Sequence, residues 1–153
     1  KTAAFGLEDL ALKLIGAVKM CRGVVPHMRK QGDGSIVNAS TGAGKAPRSM
    51  ALPTSVSRAA GNNFTKSLAN ELACDGIRVN AVCIGLIKSA QWERRSGEDS
   101  LEELYKELGN KVPMGRLGEA EEYADLVTFL CSARASYITG NAINIDGGLC
   151  PVI

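Results

Sequence analysis

Histidine is almost missing from this chain: among 153 residues, His27 is the only one. A His-based metal site or a Ser-His-Asp triad would have to be built on it. It stands beside Pro26 at the end of a helical pattern, so it is expected to do neither. Cysteine pairs are missing too. Cys21, Cys74, Cys83, Cys131 and Cys150 are odd in number, widely spaced and form no CxxC. A disulfide framework or a zinc site is therefore not expected, and reduced cytosolic thiols are. No apolar run approaches the roughly 18 residues of a membrane span. The first residues lack a charged region followed by an apolar core, so neither membrane attachment nor a signal peptide is expected. Nor is one sign of charge in excess: the net charge is +2, too small to argue for nucleic acid.

What is there is an ordinary globular composition, with 45% hydrophobic and 22% charged residues. The length allows one domain with a real core. The stretch from Ser35 to Gly85 organises it. Ser35 to Ser40 and Arg78 to Ile84 are short, mostly apolar runs. Between them lies a long helical pattern, Pro53 to Cys74, in which Val56, Ala60, Phe64, Leu68 and Leu72 make an i, i+4 stripe. This is a strand, a crossover helix and a second strand, the unit of a parallel sheet. In such sheets ligands bind outside the carboxyl ends of the strands, so a site should use residues just after Ala39 and just after Cys83.

The flanking segments fit the same plan. Leu7 to about Lys30 reads as a helix with Leu10, Leu14, Val18, Cys21, Val25 and Met28 as its apolar stripe, and Pro26 as a kink or last turn. Gln31-Gly32-Asp33-Gly34 and Asp75-Gly76 are stop signals. Ser100 with Glu103 predicts a capping box opening a short helix, Leu101 to Leu108. Glu119 to Ser132 reads as a helix, with Glu119, Glu121 and Glu122 favouring its dipole and Leu126, Phe129 and Leu130 as its buried face. Asn141 to Ile145 is the last strand. Thr41-Gly42-Ala43-Gly44-Lys45 looks briefly like a phosphate loop, but Ala39 stands where the first glycine belongs and Ala46 where Ser or Thr does.

Asn38-Ala39-Ser40-Thr41, Arg78-Val79-Asn80-Ala81-Val82, Ile138-Thr139-Gly140 and Asp146-Gly147-Gly148 together resemble the C-terminal half of a short-chain dehydrogenase/reductase, in the flavour of its 3-oxoacyl-carrier-protein-reductase-like branch. The resemblance covers nearly the whole chain. It implies an α/β fold, a three-layer αβα Rossmann-like parallel sheet, with residues 1–153 its C-terminal half. It also implies that the first strands and the Gly-rich phosphate turn lie outside this sequence, so the first strand is expected to keep an open edge. The sequence begins at Lys1 rather than Met, so a fragment, a truncated gene product or the readable part of a longer protein is expected.

The resemblance implies a site as well. The family places an Asn, a Ser, and a Tyr four residues before a Lys; the Lys lowers the phenol's pKa so that it can exchange a proton with the substrate oxygen. Here Lys13 falls at the Asn position, Thr41 at the Ser, Thr54 at the Tyr and Arg58 at the Lys. Thr41 keeps a hydroxyl that could polarise a carbonyl. Arg58 can still bond a ribose hydroxyl or a phosphate. Thr54 is far too weak an acid for the phenol's work, which leaves water or Lys13 as proton donor. Ile84-Gly85-Leu86-Ile87-Lys88-Ser89 matches the family's Pro-Gly-x-Ile-x-Thr segment, which reads the nicotinamide carboxamide, so Gly85, Ile87 and Ser89 are expected to bind cofactor with Arg58. The segment from Gln91 to Gly109 falls where the family keeps its substrate lid, with Trp92 and Tyr105 as candidate substrate contacts.

The implied activity is an NAD- or NADP-dependent oxidation or reduction of a small carbonyl or alcohol substrate in a cytoplasmic homo-oligomer, paired through the first and crossover helices. No metal, nucleic acid or membrane enters it. The substituted positions keep a second reading open, a catalytically silent or truncated homologue acting as an oligomeric or binding module.

Overall fold

A computed structural model describes residues 2–96 and 100–152. The chain opens with one long helix in three parts: α1 (Thr2–Leu10), a π-helical turn (Ala11–Ile15) and α2 (Gly16–Gln31). Then come β1 (Gly34–Thr41), α3 (Leu52–Leu72), β2 (Ile77–Ile84), α4 (Ala90–Ser96), α5 (Leu101–Gly109), α6 (Ala120–Cys131) and β3 (Ala142–Ile145). The strands form one parallel sheet in the order β1-β2-β3.

β2 is central and mostly apolar, with Arg78 and Asn80 its polar residues, because helices cover both of its faces. Ile77, Val79, Ala81, Val82 and Cys83 are buried. Side chains alternate across a strand, and the core divides accordingly. Ile77 and Val79 pack with Ile36, Cys21, Val25, Ala69 and Leu72 under α2 and α3. Val82 and Ile84 pack with Val37, Tyr123, Leu126, Val127 and Leu130 under α6. The result is the expected three-layer αβα arrangement. Asn80, a polar residue in this apolar strand, is fully buried and satisfied: its Nδ2 donates to the Ile138 carbonyl at 2.8 Å and its Oδ1 accepts the Asn141 N–H at 3.1 Å. It thereby fastens the turn before β3. Among the described residues β1 pairs with β2 alone.

The stop signals work as read. Gly32 takes φ +75° and its N–H caps the Met28 carbonyl at 2.9 Å; Gly76 takes φ +74°. Pro26 lies inside α2 rather than at its end. Three expectations need correction. Ser100 makes no side-chain cap; as an exposed N-cap hydroxyl it competes with water. The box closes instead at α6, where Glu122 accepts the Glu119 N–H at 2.8 Å. Phe129 is exposed, since Tyr123, Leu126, Val127 and Leu130 already fill the i, i+3, i+4, i+7 face of α6. In α3, Val56 is exposed too. The buried positions are the small and polar Ser55, Ser57, Thr65 and Ala69, with Leu72. The expected lid contains α4 and α5; its residues 97–99 lie outside the described residues, as does Lys1. Among the described residues, no helix is long and apolar enough to cross a membrane and no cluster could hold a metal ion. The five cysteines are free.

Candidate active site

The carboxyl ends of β1 and β2 stand side by side, with Thr41 opposite Ile84 in the register. Two glycines shape the turns beyond these ends. A Cβ on Gly85 would lie 2.5 Å from the Asp146 Cα, so only glycine lets β2 leave the sheet against the end of β3. A Cβ on Gly44 would lie 2.8 Å from the Arg58 carbonyl carbon, so the turn after β1 (Gly42–Gly44, one 3-10 turn) sits directly on α3 at Arg58.

Gly85 to Ser89 is held by its backbone. The Gly85 N–H donates to the Ile145 carbonyl at 3.0 Å, the Gly118 N–H to the Leu86 carbonyl at 2.9 Å, and the Lys88 N–H to the Gly118 carbonyl at 3.0 Å. Gly118 in turn precedes the helix start where Arg116 grips Glu122 in a bidentate pair, both N–O distances 2.8 Å. That pair, with the Glu119 N–H, holds the Glu122 carboxyl down to about 2.

Thr41, Arg58, Gly85, Ile87, Ser89 and Trp92 line one cleft of about 470 Å³. The Thr41 hydroxyl is buried and has no hydrogen-bond partner. Arg58 is half-buried. Its Nη1 donates to the Ala39 carbonyl at 2.7 Å, while its Nε is buried without a partner; burial pushes the guanidinium down from its ordinary value. Trp92 donates its indole N–H to the Ile87 carbonyl at 3.0 Å, so it braces the cleft wall. Lys88 pairs with Glu119 and stands over the Tyr105 ring, 5.8 Å from its centroid, which ties α5 to the same segment.

Lys13 lines a separate cleft of about 310 Å³, with Arg58 and Ser40 as the wall common to both. Lys13 and Thr54 come together: the Lys13 ammonium lies 3.4 Å from the Thr54 hydroxyl. Thus the structure assembles the expected positions into two groups, Thr41 with the Gly85 segment and Lys13 with Thr54, with Arg58 between them. Another cleft, about 520 Å³, lies along Met114, Arg116, Glu122 and Asp146; of the expected residues it includes only Ile87, and its Arg116 and Glu122 charges pair with each other.

The sequence reading missed Asp9 and Ser57. One Asp9 oxygen, Oδ2, accepts from Lys13 at 2.6 Å, from Ser57 at 3.2 Å and from Thr54 at 3.3 Å. The Lys13 bond, the largest cause, holds the Asp9 carboxyl below its ordinary value. The signal was present: Asp9 and Lys13 are four residues apart on a helix, the spacing of a facing ion pair.

A sequence profile of the family described as enoyl-(acyl carrier protein) reductase matches residues 7–150. An uncharacterized oxidoreductase of Thermotoga maritima is 40% identical over 142 residues, 92% of this chain and 57% of that protein. The 3-oxoacyl-acyl-carrier-protein reductase of the same organism is 40% identical over 139 residues, 90% of this chain and 54% of its own. The chain spans about half the length of the curated relatives it matches. Among solved structures, a short chain oxidoreductase from Pseudomonas aeruginosa PAO1 with an atypical catalytic center superposes with a TM-score of 0.92 at 32% identity, over 100% of this chain and 61% of that one. Its NADPH-bound form gives 0.90 at 33% identity, over 100% and 60%. With the parallel sheet, the strand-end cleft and these matches along nearly its full length, the chain belongs to the short-chain dehydrogenase/reductase family.

Proposed function

We propose that the protein carrying this chain is an oxidoreductase that interconverts a carbonyl and an alcohol with a nicotinamide dinucleotide, NAD or NADP, and that its substrate is a small carbonyl compound of the 3-oxoacyl type. The observation that carries this reading is the buried, unpartnered Thr41 hydroxyl in the wall of the cleft that Gly85, Ile87 and Ser89 also line. A buried hydroxyl without a partner is costly, and a substrate carbonyl oxygen supplies the acceptor it lacks. The Arg58 Nε, buried and equally unpartnered, offers a donor to a ribose hydroxyl. The pinned backbone of Gly85–Ser89 suits a carboxamide. The residues present therefore fit the cofactor, which would supply the hydride. Thr41 then polarises the carbonyl, Arg58 anchors, and Lys13 with Thr54 holds the proton.

The neighbour from Pseudomonas aeruginosa supports this twice, since it is an oxidoreductase described as having an atypical center and it has been seen with NADPH. The 3-oxoacyl class rests on the Thermotoga reductase. The same reading makes residues 1–153 the C-terminal half of one Rossmann-like domain, in a cytoplasmic homo-oligomer that covers the exposed Leu12, Met20 and Val56.

The test is a fluorescence titration of the purified natural protein with NADPH and NADH, followed by turnover of a 3-oxoacyl thioester. Saturable binding and consumption of the reduced cofactor are expected. Binding without turnover of any carbonyl would leave a silent homologue, and absence of binding would remove the reading altogether.

A further inference from the structure

We infer that Asp9 is a positioning residue for the proton-donating step, holding the Lys13 ammonium and the Thr54 hydroxyl as one unit where the family has an Asn and a Tyr. The inference rests on the oxidoreductase reading above.

Three observations converge on it. First, a single carboxylate oxygen gathers Lys13, Thr54 and the fully buried Ser57 within 3.3 Å, and Lys13 lies 3.4 Å from Thr54. Two of the family's four replaced positions are thus bonded to a residue that none of the four specifies. Second, Lys13 lies in the π-helical turn Ala11–Ile15, closed by the Gly16 N–H on the Ala11 carbonyl. A π turn inserts one residue and re-aims the side chains beyond it, and such turns recur at functional sites. Third, the cluster is partly enclosed: the Lys13 and Asp9 side chains are 20% and 26% exposed. Asp9's charge also reaches Arg58, where it works against burial.

The chemistry gives the cluster a task. A threonine hydroxyl is a poor acid and stops several ångströms short of a phenol's reach. An ammonium is a much stronger acid and stands on a longer stem. When hydride reaches the carbonyl carbon, the C=O π pair moves onto oxygen. That oxygen takes a proton from the Lys13 ammonium, which becomes an amine still held against Thr54 and Asp9. Solvent at the open side of Lys13 returns the proton. Asp9 stays ionised throughout; it fixes the distance and compensates the charge of the donor.

The experiment compares D9N, D9E, K13M and D9N/K13M in the natural protein. It measures NADPH affinity by fluorescence and kcat and KM for carbonyl reduction separately. D9N is expected to lower kcat roughly 100-fold, the span of a lost general acid, with cofactor Kd and carbonyl KM within about 2-fold, and D9E to recover part of the loss. The double variant should be no slower than K13M, because residues acting as one unit do not add. Loss confined to KM or Kd, multiplicative losses, or a D9N kcat within about 3-fold of wild type would overturn the inference while leaving the oxidoreductase reading intact. If D9N does not fold, as circular dichroism would show, a folded K13M with wild-type kcat overturns it equally. Wild-type protein that turns over no carbonyl would instead fail the earlier reading.

Discussion

The two strand ends beside the cleft treat their family inheritance differently. After β2, Gly85 to Ser89 keeps the family's segment with one conspicuous change, Ile84 for Pro. On the helices facing β1, the residues expected to do chemistry are replaced: Lys13, Thr54 and Arg58. The difference comes from what each region uses. Gly85–Ser89 is shaped and held by main-chain hydrogen bonds to Ile145 and Gly118. Backbone donors and acceptors are the same whatever the side chain, so such a segment tolerates substitution wherever no Cβ is forbidden. The helix face works through side-chain length and acidity, and there a change in one residue demands changes in its neighbours. Asp9, bonded to Lys13, Thr54 and Ser57, is such a compensation.

The sharpest way to break the contrast is to put a side chain where the backbone segment forbids one. Gly85→Ala places a Cβ 2.5 Å from the Asp146 Cα and Cβ, a clash with main chain that cannot move aside cheaply. It is expected to cost about 3 kcal/mol of stability, read as the shift of the denaturation midpoint, and to weaken NADPH binding at temperatures where the protein stays folded. A Gly85→Ala protein as stable as wild type would mean that the segment is not pinned as described.

Thr41→Val removes a hydroxyl without changing shape. If Thr41 donates to the carbonyl oxygen, kcat falls roughly 100-fold, as for loss of one such donor, with Thr41→Ser close to wild type. Because the hydroxyl is buried and unpartnered in the free protein, the valine variant should be no less stable than wild type, and thermal melts would check this. A lower melting temperature would point to a structural partner for the hydroxyl.

Arg58→Lys restores the family's residue and asks whether the replaced face is interchangeable. A lysine ammonium cannot bond the Ala39 carbonyl and offer a second donor in the fixed geometry of a guanidinium. The expected result is a KM for the cofactor several-fold higher, with little recovery of activity, since Thr54 still stands where a phenol would be required.

The same contrast explains how much could be read in advance. The sheet was legible because β2 is a short, mostly apolar run bounded by Gly76 and Gly85, and α3 because its helical pattern spans more than five turns between breakers. Strand-end placement then located Thr41 and Gly85 by topology alone. The π turn was not legible: Leu12 to Ile15 carries no residue that favours it over an α turn, and its contacts with α3 join residues far apart in sequence. Asp9 was hidden for a related reason. Its spacing to Lys13 is visible, but its bonds to Thr54 and Ser57 join residues 45 and 48 apart in sequence. Phe129 shows the reverse error, where an apolar residue was given to a face that Tyr123, Leu126, Val127 and Leu130 already fill.

The smallest expected effect tests whether the backbone segment depends on any side chain at all. Glu122 joins Arg116 and the Glu119 N–H, and Gly118 between them carries both hydrogen bonds that brace Leu86 and Lys88. The folded protein holds Glu122 at about 2, below the ordinary 4.5, chiefly through the Arg116 bond. A depressed carboxyl contributes stability that is fully present above its unfolded value and is lost as pH falls toward its folded one. The Glu122 contribution should therefore be intact at neutral pH and disappear between about pH 4.5 and pH 2. Glu122→Gln removes it at the outset, so the melting temperatures of variant and wild type should differ slightly at pH 7 and converge toward pH 2. The pair is exposed, so salt should narrow the gap as well. Cofactor affinity of the variant decides the structural point. If it stays at the wild-type value while the small stability difference is seen, Gly85–Ser89 is held by main chain alone. If it drops with the ion pair, the region that resembles the family in its backbone also rests on a side-chain device, and the contrast between the two strand ends is one of degree.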